Sequence, residues 1–225
     1  MWKTTLKELL GNSLNQLSKV GISPKSYNNK YGVPLSLFNL DQKNNYGVLE
    51  IGMDKKGEID YLSKIVKPDV SVITNINYAH AKNFKNLKQI ALAKSEIINN
   101  TKVNGFIILN ADDNFFTLHK VIAKKRNLKI LSFGIDNQNA NIKLISIKKI
   151  ANKFKATIRV NNLKTYFFIS NNFQNNILNI LAALAVMSVF INISKLKKNI
   201  FMGFKTPDGR GDIAKIKIDN KKLNL

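Results

Sequence analysis

Cysteine is absent from these 225 residues, which excludes a disulfide framework and any thiolate metal site. Arginine is scarce. Only Arg126, Arg159 and Arg210 occur among 36 basic residues, the other 33 being lysine. Sequence-specific readers of nucleic acid lean on bidentate arginine. The net charge of +22, spread along the chain among many asparagines, therefore reads as a solvated coat that attracts polyanions non-specifically. A clean apolar run is missing too. The longest candidate, "ILNILAALAVMSVFINI" (177–193), is interrupted by Asn179, Ser188 and Asn192. It suits a buried core helix better than a membrane span of ~20 apolar residues. No signal peptide is visible, because Lys3 and Lys7 open an amphipathic helix and not a continuous apolar stretch. These absences imply a cytoplasmic protein with no membrane span, for which a nucleic-acid role is a minor alternative. What is present, 44% hydrophobic and 9% aromatic residues, is enough for one sizeable core.

The apolar pattern alternates between two periods. Leu6, Leu9, Leu10, Leu14, Leu17 and Val20 form one helical stripe over 4–20. "YGVLEIG" (46–52), "DVSVITNI" (69–76), "GFIILN" (105–110) and "KILSFG" (129–134) read as short buried strands. Between them, 57–67, 86–100 and 112–126 read as helices. Strands alternating with helices of this length predict an α/β fold with a mostly parallel, doubly wound sheet. Residues 141–170 hold three runs separated by "ANK" and "NNL", a small antiparallel meander beside that sheet. A long helix over about 173–191, a shorter one over 194–203, a Pro/Gly loop "TPDGRGD" and a last strand "IAKIKID" complete the expectation of a single unit.

Four positions invite chemistry. Lys3-Thr4-Thr5 heads the first helix as the end of a phosphate-binding loop does, with a lysine for phosphate charge and a hydroxyl for Mg²⁺. The glycines that would precede it are absent, and the triplet alone is common. Glu50 closes an apolar strand at the edge where doubly wound sheets bind ligands. There a carboxylate must be paired or bind a cation; otherwise it is an exposed edge residue. His80 follows the next strand, so it and Glu50 have the placement to share one metal, although a lone histidine is usually structural. Lys94 and Glu96 lie on the following helix, where lysine is ordinarily a surface residue.

Taken in order, these stretches resemble the central, ATP-binding domain of the Mur ligases of peptidoglycan synthesis, in particular the branch that adds D-alanyl-D-alanine. The resemblance rests on "NNKYGVPLSLF" (28–38), "VLEIGMDKKGEI" (48–59) and "TNINYAHAKNFKNLKQIALAKSEI" (74–97). "LNADD" (109–113), "NNILNILAAL" (175–184) and "PDGRGD" (207–212) continue it in the family's order, over nearly the whole chain. It implies an amide-forming ligase of the acyl-phosphate type acting on UDP-N-acetylmuramoyl-tripeptide, D-Ala-D-Ala and ATP. It also implies that Lys3 neutralises phosphate and that Thr4 and Glu50 hold one Mg²⁺. His80 and Lys94 would serve a second Mg²⁺, Lys94 after carbamylation. Thr5, Asn176 and Arg210 would contact ATP, and Asn28 and Asn29 the nucleotide-linked substrate.

The sequence departs from the family at two places. The glycine-rich half of the phosphate loop is missing before Lys3, and Phe173-Gln174-Asn175-Asn176 stands where the family has Gly-x-His-Asn. Neither the UDP-binding nor the C-terminal domain is expected on these 225 residues. The readings left open are a ligase domain that acts with further domains, a catalytically inactive remnant that at most binds nucleotide or a partner, and a basic nucleic-acid binder.

Overall fold

The computed structural model describes residues 2–78, 83–170 and 176–206 in full, and 215–218 and 221–224 by their backbone. Helix α1 (Trp2–Asn15) is followed by β1 (Val20–Ile22), α2 (Gly32–Phe38) and β2 (Tyr46–Val48). Next come α3 (Glu58–Val66), β3 (Val70–Ile73), α4 (Leu87–Asn100), β4 (Phe106–Asn110), α5 (Phe116–Lys125) and β5 (Lys129–Gly134). The chain continues through β6 (Ile142–Ile150), β7 (Lys153–Val160), β8 (Leu163–Ser170) and α6 (Ile177–Phe190). Strands β9 (Lys215–Ile218) and β10 (Lys221–Asn224) make an antiparallel pair of their own.

Six strands form one sheet in the order β3-β4-β5-β6-β7-β8. The first three joins are parallel and the last two antiparallel. The expected meander is thus not a separate layer. Phe133 and Gly134 pair with Ile142 and Lys143, so the meander extends the parallel sheet directly.

Side-chain alternation places a core on each face. Along β4, Ile107 and Leu109 point one way and Ile108 the other, and all three are buried. Leu9, Leu10 and Leu14 of α1 and almost every apolar side chain of α6 cover the face bearing Ile108, Phe133, Ile158 and Phe167. Ile59 of α3, Ile90 and Ile98 of α4 and Ala123 of α5 cover the face bearing Ile73, Ile107 and Leu109. Each fully buried Leu, Ile or Phe contributes about 1.5–3 kcal/mol of transfer free energy, so these two layers fix the strand ends to which the site is attached. Among the described residues no helix is long and apolar enough to cross a membrane.

Helix ends follow local chemistry. Gly57 adopts φ +90°, which costs glycine nothing, and starts α3; Lys67 (φ +47°) and Pro68 stop it. Asn86 caps α4 by accepting from the Gln89 amide at 3.0 Å.

Three features differ from the sequence expectation. Strands β1 and β2 pair with each other, in parallel, and not with the six-stranded sheet. Residues 194–203 form no helix beyond a single 3-10 turn (Ile193–Lys195). The Lys198 carbonyl, which a continuing helix would use, accepts instead from the Phe168 amide of β8 at 2.7 Å. The long helix begins at Ile177, and 171–175 lie outside the described residues.

Candidate active site

The first turn of α1, the chain leaving β2 and the chain leaving β3 meet at one end of the parallel strands. Thr4 donates its hydroxyl to Glu50 Oε2 at 2.6 Å, and Asn28 Nδ2 donates to Glu50 Oε1 at 2.9 Å. The Glu50 amide donates to Ser23 Oγ at 3.2 Å, and the Ser23 amide to the Val48 carbonyl at 2.9 Å. With both carboxylate oxygens and its amide held, Glu50 is only 5% exposed. The exposed-edge alternative for this residue is therefore wrong. Gly52 is required beside it, because a Cβ there would stand 2.9 Å from Asn28 Cγ. The same loop is tied down by Lys7, which is buried on α1 and donates to the Ser23 and Lys25 carbonyls at 2.6 Å each.

Lys3 donates to the Ile51 carbonyl at 3.1 Å. Burial lowers its pKa below the ordinary lysine value, and the charges of Glu50 and Asp54 offset this in part. Across the site, Lys94 reaches from α4 to the Asn75 carbonyl at 2.6 Å, so it is not a solvated surface lysine. Burial first, and the nearby Lys3 charge second, lower its pKa to about 8, while Asp113 acts in the opposite direction. At pH 8 about half of such a group is neutral amine. The two lysines that the sequence placed 91 positions apart thus share one electrostatic environment.

Two participants were not singled out from the sequence. Asp113 accepts from the Ile76 amide at 2.8 Å and the Phe115 amide at 2.9 Å, fixing the chain beyond β3. In the sequence it stood only within the "LNADD" stretch, at the head of the predicted helix over 112–126. His119 is buried with Nε2 3.0 Å from the Ala91 carbonyl, and burial lowers its pKa. Glu96, which the sequence marked only by its place on α4, has a structural task. It accepts from the Gly57 amide (2.9 and 3.1 Å) and the Asp60 amide (3.1 Å), so it charges the N-terminus of α3 from a neighbouring helix.

Two other predicted site residues have partners elsewhere. Asn29 spends its side-chain oxygen on the Tyr31 and Gly32 amides (3.0 and 2.9 Å) at the start of α2. Asn176 heads α6, its Oδ1 accepting from Asn179 Nδ2 at 3.4 Å. Thr5 is buried next to Thr4. His80 and Arg210 lie outside the described residues. Among the described residues no group of three or more His, Cys, Asp or Glu has the spacing to hold a metal ion. A divalent ion here has one carboxylate, one hydroxyl and an amine to bind. The first two suit Mg²⁺, whose preferred ligands are oxygen, and the amine fits only if it is converted to an oxygen donor.

Comparison with known proteins agrees with this geometry. The sequence matches the Mur ligase middle domain over residues 3–187. It is 36% identical over 160 residues to a UDP-N-acetylmuramoyl-tripeptide--D-alanyl-D-alanine ligase of Buchnera aphidicola subsp. Acyrthosiphon pisum, covering 70% of this chain and 32% of that one. It is 32% identical to the enzyme of the same name from Rickettsia prowazekii, covering 98% of this chain and 49% of the relative. Crystal structure I of MurF from Acinetobacter baumannii superposes with a TM-score of 0.85 at 28% identity, over 99% of this chain and 48% of that one. MurF ligase from Thermotoga maritima, crystallised in complex with ADP, gives 0.82 at 29% identity, over 94% and 48%. The chain therefore spans from about a third to half the length of these relatives, and it belongs to the Mur ligase middle-domain family.

Proposed function

We propose that this chain carries the nucleotide- and metal-binding centre of an ATP-dependent ligase that joins D-Ala-D-Ala to UDP-N-acetylmuramoyl-tripeptide in peptidoglycan precursor synthesis in the cytoplasm. The observation that carries the proposal is the Thr4–Glu50 hydrogen bond of 2.6 Å at the head of α1, with Lys3 and Lys94 beside it. A hydroxyl and a carboxylate held together next to a lysine at a helix N-terminus are the groups that a magnesium–polyphosphate complex needs.

In the reaction, a carboxylate oxygen of the tripeptide attacks the γ-phosphorus of ATP. The bond from that phosphorus to the β-bridging oxygen breaks, and ADP leaves. The amine of D-Ala-D-Ala then attacks the acyl phosphate carbonyl; phosphate departs with the bonding pair and the ammonium proton is lost to solvent. Bound Mg²⁺ supplies charge neutralisation for the transferring phosphoryl group. Lys3 exchanges its Ile51 carbonyl partner for phosphate oxygens, which stabilises the charge that develops there. Thr4 and Glu50 hold one cation, and Asn28 keeps Glu50 in its productive rotamer. Asn176 and Arg210 serve the adenosine end of ATP, and Asn29 the nucleotide-linked substrate.

Lys94 has a distinct part. An amine with a pKa of about 8 is neutral often enough near neutrality to attack CO₂. Loss of a proton leaves a carbamate, which converts a repelled ammonium into an oxygen ligand for the second Mg²⁺ alongside His80. The remaining reading is a catalytically inactive remnant whose centre no longer holds Mg-ATP. Calorimetric titration of the purified chain with Mg-ATP separates the two. Binding in the micromolar range that disappears in Glu50→Ala supports the proposal; no heat from a folded chain sinks it.

A further inference from the structure

The six-stranded sheet is covered unevenly. Helices α3, α4 and α5 pack on one face of its parallel part, and the core they form there holds no residue of β6, β7 or β8. The opposite face of the meander is buried like the rest, through Ile142, Ala156, Ile158, Val160, Phe167 and Ile169. Strand alternation sends the intervening side chains of all three strands to the face that these helices leave uncovered.

Register sorts those side chains into cross-strand rows. Arg159 lies between Lys143 and Lys164, Lys155 between Lys148 and Phe168, and Thr157 between Ser146 and Tyr166, with Lys153 opposite Ser170. Like charges directly opposite one another destabilise a sheet, and here no carboxylate relieves them. The sequence has no acidic residue between Asp136 and Asp208, and among the described residues none of these cations joins a salt bridge. Instead Lys153 and Lys155 lie over the half-buried rings of Phe168 and Tyr166, which pack edge-on with centroids 5.5 Å apart. A ring face positions an ammonium without cancelling its charge, as a carboxylate would. At one end the face dips into an open depression of about 650 Å³, lined by Lys143 and Arg159 with Gln138, Ile135, Leu144 and Ile145. The two cations there are also held by neutral oxygen, Lys143 by the Ile135 carbonyl at 2.7 Å and Arg159 by the Gln138 carbonyl at 2.7 Å.

We infer that this face is a platform for single-stranded nucleic acid, bound without sequence preference. Phosphates draw the ammonium groups off the rings, and the ring faces so released accept bases by stacking. Both halves of that exchange are satisfied by one ligand. A lipid surface or an acidic protein supplies anions but no flat base, and a duplex keeps its bases stacked on one another. Scarcity of arginine disfavours reading of base edges but leaves backbone contact intact. Strands β4 and β5 separate the platform from the Lys3–Lys94 site, so it stands or falls independently of the nucleotide reading.

The test is fluorescence anisotropy of a labelled, mixed-sequence DNA strand of about 12 nucleotides, titrated with the full chain at several salt concentrations. Binding is expected, with log K falling against log salt at a slope of about −2 to −3.5, the value for about three to five phosphate contacts. Lys148→Gln, Lys153→Gln and Lys155→Gln together should reduce that slope by about 2 and weaken binding at least about tenfold. The same loss of charge on α5, through Lys120→Gln, Lys124→Gln and Lys125→Gln, should have a much smaller effect. Tyr166→Leu with Phe168→Leu should keep the slope and weaken binding by about tenfold or more. Should that ring variant fail to fold, the two lysine sets and a duplex of the same sequence still decide. No binding, equal losses from both lysine sets, or a duplex bound as tightly as the single strand overturns the platform. So does displacement of the strand by Mg-ADP, which would place it at the nucleotide site. Phosphatidylglycerol vesicles that bind through Lys148, Lys153 and Lys155 while the single strand does not would make a bilayer the occupant instead.

Discussion

Lysines behave differently in the two halves of this molecule. Up to Asp136, acidic residues accompany the basic ones, whereas none occurs between Asp136 and Asp208. In the first half, buried or half-buried lysines are each tied to main-chain oxygen: Lys3 to Ile51, Lys7 to Ser23 and Lys25, Lys94 to Asn75. In the meander Lys143 is held the same way, by the Ile135 carbonyl at 2.7 Å, but the lysines of β7 lie over aromatic rings. Lys153 sits 3.7 Å from the Phe168 ring centroid and Lys155 4.3 Å from that of Tyr166. With no carboxylate nearby, a ring face is the best local partner for such a cation. The net charge of +22 therefore says little about function, because one residue type performs two unrelated tasks.

The largest effect should come from the meander's core, and it should leave the lysine-bearing site untouched. Phe167 is fully buried and stacks edge-on against Phe201 with centroids 5.4 Å apart. Phe167→Ala is expected to cost about 3–5 kcal/mol in denaturant unfolding, with nucleotide affinity unchanged in the folded fraction.

Next is Lys94→Met, measured without bicarbonate. The folded pKa of about 8 lies below the ordinary lysine value of 10.5, so the unfolded chain binds more protons between those two pH values. Stability of the parent therefore rises with pH across that window and carries the full burial cost below it. The variant should be more stable at pH 7 by on the order of 3 kcal/mol and should lose that part of the rise. A parent whose stability is flat from pH 8 to 10.5 would contradict this.

Thr4→Val and Glu50→Gln come third. Each should cost about 1–3 kcal/mol because a buried partner is left unsatisfied. In a double-mutant cycle their effects should be non-additive, since the two groups share one 2.6 Å hydrogen bond. Glu96→Ala is smaller, about 1 kcal/mol, as α3 loses the carboxylate that caps its first turn. Smallest is Lys153→Ala, roughly 0.5–1 kcal/mol by thermal melting.

The two halves also differed in how far their sequence could be read. β4 and α4 were legible because their apolar periods, flanked by glycine or asparagine, matched the buried faces they acquired. Glu50 was legible as the end of an apolar run, and Lys3-Thr4 as the head of a helix. The role of Asn28 was not, since it acts through a side-chain contact to a carboxylate 22 positions away. Residues 194–203 misled for a related reason. Leu196, Ile200 and Phe201 have helical spacing and are buried, yet β8 takes the carbonyl that a helix would need. Helix α2, to which the sequence reading assigned no element, carries Pro34 in its first turn, where proline is tolerated. Local pattern carries local structure; bonds between distant segments have to be seen.

Whether α1, β2 and α4 assemble one metal–nucleotide centre can be decided by an electron paramagnetic resonance titration of Mn²⁺ in the presence of ADP. The proposed centre predicts protein-bound Mn²⁺ that requires ADP and is lost in Glu50→Ala, with a second bound ion appearing when bicarbonate is supplied to the Lys94 parent but not to Lys94→Met. Mn²⁺ binding that is indifferent to both substitutions would contradict it.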